Sequence, residues 1–221
     1  MKAWKSWLLA GSGVAVMGVF FLAIMRPPGA RSTAPGEDLP WRIARGQDGA
    51  TITVFGLTLG ESTVRDAADK WGRRYELGLF QNPAGRLSLE AYFRDAVVGG
   101  LNARLVASAR LPEDTLQAIR AGAGAPTAEG GRRYAVLEPD QDLGLGATIT
   151  AITYMPVVKF DAGLVRKRFG EPAEQLKVKD GVHWLYPDRG LDLLLGDGGE
   201  ALLQYVPPPE FERRLRAPLR N

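Results

Sequence analysis

The 221-residue chain contains no cysteine and a single histidine. The first absence excludes disulfides, thiolate nucleophiles, cysteine-ligated zinc and a lipid-modified amino-terminal cysteine, and it leaves the redox compartment unread. The second leaves His183 as the one imidazole base and restricts any metal site to oxygen ligands. Acid is also missing from residues 1–31, which hold Lys2, Lys5, Arg26 and Arg31. That segment therefore accounts for the formal net charge of +3, because the remainder carries 24 basic against 25 acidic residues. Nucleic-acid binding needs a basic surplus that this remainder lacks, so no nucleic-acid partner is expected.

The acid-free start contains an uncharged run, Leu8 to Met25, of 18 residues. As a helix it spans roughly 27 Å, about the hydrocarbon thickness of a bilayer. Trp4 and Trp7 suit the membrane interface. The run is longer than the apolar core of a secretory signal and ends in "IMRPPG" without a small-x-small cleavage site. Residues 1–31 are read as a cytoplasmic stub and an uncleaved anchor that takes the bilayer as partner through residues 8–25. The alternative is a signal peptide that is cleaved to release the chain. Residues 32–40 read as a linker.

From residue 41 onward the pattern is α+β. "PWRIARGQDGATITVF" reads as a hairpin around Asp48-Gly49, with Trp41 and Ile43 alternating on one arm and Ile52 and Val54 on the other. In "GESTVRDAADKWG", Thr63 is an N-cap, Val64, Ala67, Ala68 and Trp71 form one apolar face, and Gly72 stops the helix. "YELGLF", "LSLEAYF" and "LNARLVASAR" follow as a meander of strands, and Pro112 opens a second helix. "GAGAPTAEGG", residues 122–131, reads as a linker between a module at 41–121 and another at 132–211, with a basic tail at 212–221. At an offset of 98 residues the cap, stripe and stop return: Asp161, Ala162, Val165, Phe169 and Gly170 stand where Thr63, Val64, Ala67, Trp71 and Gly72 stood. "EQLKVK", "VHWLYP", "LDLLLG" and "ALLQYV" then read as strands joined by glycine-containing turns. The expectation is two similar modules, each a short helix packed on an antiparallel meander.

The residues "LVRKRFGEP" at 164–172, "WLY" at 184–186 and "LDLLLGDGGEALLQYV" at 191–206, with "GLTLGESTVRDAADKWG" at 56–72, resemble the BamE (SmpA/OmlA) family and, more broadly, the β-lactamase-inhibitor-protein-like fold. The resemblance implies helices on an antiparallel sheet and a bacterial envelope protein that binds other proteins. The chain departs from that family in lacking the lipid-attachment cysteine and in its duplication.

Candidate chemistry is sparse. On a strand from Val182, alternation places Val182, Trp184 and Tyr186 on one face and His183 with Leu185 on the other. Trp184 and Tyr186 read as core, and His183 is then expected at the solvent. None of Ser62, Ser88 or Ser108 lies in a G-x-S-x-G elbow, so no catalytic residue is assigned. Glu138, Asp140 and Asp142 in "EPDQD" read as a solvated turn, and "GDGGE" has neither EF-hand spacing nor a following helix to cradle phosphate. No metal and no cofactor are expected. Pro207, Pro208, Pro209 and Phe211 end the last strand as an extended segment that docks on a partner. The function expected is a membrane-anchored periplasmic scaffold or protein-binding protein of the inner membrane, with an envelope protein as partner. The alternatives are a carboxylate-dependent hydrolase and an inhibitor of an envelope enzyme.

Overall fold

The computed structural model describes residues 38–82, 85–126 and 132–220. The proposed anchor, Trp4 and Trp7 lie outside the described residues, among which no helix is long and apolar enough to cross a membrane. The fold is α+β with antiparallel sheets.

A small sheet comes first: β1 (Ala44–Arg45), β2 (Ile52–Val54) and β3 (Leu57–Thr58). The expected hairpin around Asp48-Gly49 forms, but its first strand is confined to the exposed pair Ala44 and Arg45, so Trp41 and Ile43 pack from irregular chain. The β2–β3 turn is Phe55-Gly56 with φ of 54° and 70°, the left-handed pair that suits the twist of a tight hairpin. A phenylalanine there is strained by about 1–3 kcal/mol. Its ring is fully buried and meets Trp71, Tyr154 and Tyr205 at centroid distances of 6.3, 5.1 and 5.4 Å, which offsets the strain.

The helix α1 (Val64–Trp71) follows, with Thr63 and Asp66 capping one another's backbone. Next come β4 (Tyr75–Gln81), β5 (Leu87–Val98), β6 (Leu101–Arg110), α2 (Glu113–Gly122) and β7 (Arg132–Ala135). A helix α3 (Glu138–Leu145) stands where "EPDQD" was expected to be a turn. It carries no apolar stripe, only Gly144 is buried, and a side chain there would strike Leu77. The contact is made through backbone, and hydrophobic periodicity does not report it. Then come β8 (Thr148–Pro156), α4 (Ala162–Phe169) capped by Asp161, β9 (Glu174–Val178), β10 (Gly181–Tyr186), β11 (Leu191–Gly196) and β12 (Ala201–Tyr205). The helices α1 and α4 share the cap-stripe-glycine plan at the spacing read from the sequence.

The larger strands form a single nine-stranded antiparallel sheet in the order β7-β4-β5-β6-β8-β12-β11-β10-β9. The two halves meet where β6 pairs with β8, and β7, which follows residues 122–131, returns to β4 in the first half. One face of this sheet meets the helices and the small sheet. Leu79, Leu89, Phe93, Leu105, Ile149, Tyr154, Leu203, Leu193, Trp184 and Tyr186 are buried there with Val64, Trp71, Leu116, Val165 and Phe169.

The carboxy-terminal segment departs from expectation. Instead of an extended arm, Pro208–Glu210, Glu212–Arg216 and Ala217–Arg220 form successive short helical turns. They fold back on the second sheet face, where Phe211 and Leu215 pack with Leu185 and Val206. Arg216 and Arg220 both pair with Glu174 of β9, at 3.5 and 3.1 Å. Phe211 is thus used within the chain, and of the three prolines only Pro209 is exposed. Truncation of Phe211→Ala is expected to lower unfolding stability by about 3–5 kcal/mol, whereas Pro209→Ala should change it little; thermal and denaturant unfolding of the two variants measures the difference.

Candidate functional site

Side chains on the second sheet face are mixed in character. Registered pairs place Tyr92, Val106, Thr153, Gln204 and Asp192 in one row across β5, β6, β8, β12 and β11. A neighbouring row sets Glu90 of β5 between Gly78 and Ser108.

His183 lies on this face, as alternation requires, but not at the solvent. It is 8% exposed, and its Nδ1 stands 2.9 Å from both carboxylate oxygens of Asp192, itself 2% exposed. The carboxy-terminal turns cover this face at Leu185, two residues along the same strand, a layer that no single-strand pattern contains. Trp184 and Tyr186 are core as expected, and burial pushes the Tyr186 hydroxyl up to about 12 against the opposing pull of Arg189. The hydroxyl of Tyr186 donates to the carbonyl of Gly170 at 3.0 Å. The imidazole's carboxylate partner orients it, but no serine, threonine or tyrosine hydroxyl is hydrogen-bonded to it among the described residues. The pair therefore lacks the nucleophile of a catalytic triad. Removing one member of a buried hydrogen-bonded pair leaves the other's polar group unsatisfied. The variants His183→Leu and Asp192→Leu are each expected to lose about 1–3 kcal/mol, and the double variant to be more stable than either single one; denaturant titration of all three closes the cycle.

Between the sheet face and the carboxy-terminal turns lies a cleft of about 410 Å³. Its sheet wall presents Ser88, Glu90, Ser108, Thr153 and Gln204, and its other wall presents Arg213, Arg214, Leu215 and Pro218. Arg86 also lines it. Among the described residues Glu90 is the only carboxylic acid of the lining. It is 1% exposed, and neither its Oε1 nor Ser88 Oγ has a hydrogen-bond partner among the described residues. Burial pushes the Glu90 carboxyl up to about 8, while the charge of Arg133 pulls it down. Arg133 lies over Gly78 and is bound to Glu76 at 3.2 Å, so its charge is shared and burial prevails. Glu90 is accordingly a neutral acid at neutral pH, both a donor and an acceptor.

Sequence reasoning did not single out Glu90. In "LSLEAYF" it alternates with Leu89 and Ala91 as a solvent-facing acid would, and only the other strands and the folded terminus enclose it. The other residues singled out do not converge on this cleft. Glu138, Asp140 and Asp142 lie on α3, where Asp142 pairs with Arg65 at 3.1 Å. No group of three or more His, Asp or Glu side chains is placed to hold a metal ion among the described residues. Pro207, Pro208, Pro209 and Phe211 are absent from the cleft lining. Comparison with family models, with curated proteins and with solved structures returns no match to this chain.

A raised carboxyl has a definite consequence for stability. Below its ordinary value near 4.5, Glu90 is protonated in both the folded and the unfolded chain, and its burial carries no ionisation penalty. Between that value and about 8 the unfolded chain releases a proton that the folded chain keeps, so stability falls as pH rises. The variant Glu90→Gln is expected to be more stable than the parent by a few kcal/mol at pH about 8 and to match it near pH 4; chemical denaturation across that range measures the divergence.

Proposed function

We propose that the protein is a single-pass, membrane-anchored binding protein of the bacterial envelope, with the nine-stranded sheet outside the cytoplasm and the Glu90 cleft as its binding site. The carrying observation is the cleft's composition: one neutral carboxyl, unpartnered hydroxyl and carboxyl oxygens, and no nucleophile–base pair. Two carboxylates are needed for the usual glycoside hydrolysis, and the lining has one. Buried polar atoms left without partners are costly, and a ligand removes that cost. The uncharged stretch at 8–25 supports anchoring in the inner membrane. The resemblance of residues 161–206 to the BamE family supports an envelope setting and a non-catalytic role.

A photo-cross-linking residue placed at Arg213 of the full chain, in intact cells, tests the reading. The expected result is a specific adduct with an envelope component, formed by a chain that fractionates with the inner membrane. The same probe at the exposed Leu143 of α3 should not yield it. Turnover of a glycan or peptide by the purified full chain, abolished in Glu90→Gln, would replace this reading with the hydrolase.

A further inference from the structure

The cleft also restricts the kind of ligand it can hold. Its volume of about 410 Å³ lies toward the small end of the range for ligand pockets, roughly 300–1,000 Å³. An apolar occupant would leave Ser88 Oγ and Glu90 Oε1 unpartnered. A cationic occupant would meet Arg86, Arg213 and Arg214 with no ionised carboxylate in the lining to balance them. Arg214 is already engaged, donating to Glu210 at 2.9 Å and to the carbonyl of Thr150 at 3.1 Å. Arg213 is held to the same Glu210 at 3.4 Å with its side chain 73% exposed. Arg86 makes no ion pair among the described residues, and neither Arg86 nor Arg213 is fixed by a second carboxylate.

Resting on the reading of this cleft as a binding site, we propose that it takes a hydroxylated organic anion of about the size of one sugar residue, hydroxyls toward Ser88 and Glu90 and acidic group toward Arg86 and Arg213. The inner groups are neutral and offer both donors and acceptors, which matches hydroxyls. The mouth is cationic, which matches a carboxylate or a phosphate.

A pH signature follows. The charged groups about Glu90 are Arg133 from β7, Arg86 preceding β5, and Arg213 and Arg214 from the carboxy-terminal turns. Each is a guanidinium, and Glu76 pairs with Arg133 while Glu210 pairs with Arg213 and Arg214. Tyr92 on the same strand has its hydroxyl raised by burial and stays neutral. Glu90 is therefore the group in the cleft that changes charge above neutrality, and its ionisation repels an anion.

The test uses the full chain in a polyoxyethylene detergent, which carries no sugar, and titrates it with glucuronate, glucose 6-phosphate, glucose and glucosamine by ligand-observed NMR. At least one of the two anions should bind about tenfold more tightly than glucose and glucosamine, and the carboxylate and phosphate arms separate the two anion types. That affinity should fall about tenfold between pH 7 and 9.5 in the parent. Glu90→Gln, a neutral isostere, should keep the affinity at pH 7 and lose the pH dependence. The double variant Arg86→Gln/Arg213→Gln should weaken the anion alone, with unfolding curves confirming that each variant is folded. Equal affinity for glucose, preference for glucosamine, or binding of none of the four would overturn the proposal. If none binds while the Arg213 probe still captures an envelope protein, the binding-protein reading stands without this ligand; if both fail, both readings fall.

Discussion

The pairing of β6 with β8 is the interaction on which the remaining structure depends. It runs from Ala103↔Pro156 to Arg110↔Thr148, with one irregularity between Ser108 and Ala109. Without it each half would present an open sheet edge and an incomplete core; with it, nine strands share one surface. Phe55 reinforces the same joint from the helical side. Its strained turn drives a ring between Trp71 of the first half and Tyr154 and Tyr205 of the second. The hydroxyl of Tyr205 then reaches back to the carbonyl of Pro40 at 2.8 Å, tying the entry of the folded chain to its last strand.

A continuous sheet has two faces, and this protein treats them differently. The helices and the small sheet cover one face with apolar side chains throughout. The second face is covered over β10 and β12 by the carboxy-terminal turns, with Phe211 and Leu215 as apolar contacts and Glu174 as an ionic anchor. The cleft lies beside that cover, between the turns at Arg213–Pro218 and the strands β5, β6, β8 and β12.

Local patterns were legible where the physics is local. Thr63 and Asp161 cap, Gly72 and Gly170 stop, and the meander strands lie where alternation and glycine turns place them. Alternation also assigned Trp184 and Tyr186 to the core and His183 to the opposite face. What alternation cannot contain is a third layer. The enclosure of His183 and the return of Phe211 arise from contacts between residues far apart in the chain, and arginines 213, 214, 216 and 220 read locally as a solvated tail. Helix α3 was missed for a different reason: it packs through Gly144 against Leu77, which gives no hydrophobic period to detect.

The same distinction explains why the two acids of the second face have different roles. Asp192 received its partner from the adjacent strand, since residues 183 and 192 lie diagonally across the β10–β11 hairpin and turn geometry brings them together. Glu90 has no equivalent neighbour: its registered partners are Gly78, without a side chain, and Ser108, whose side chain is too short to bring a charge. The nearby Arg133 is shared with Glu76. A carboxyl enclosed this way cannot be neutralised by pairing and is neutralised by protonation. A protonated acid in a partly polar cleft is poorly suited to hold a cation or to serve as the base of a two-carboxylate reaction. It is well suited to share a proton with a hydroxyl, so burial on a strand whose sequence pattern faces solvent makes an ordinary glutamate a neutral hydrogen-bond donor and acceptor.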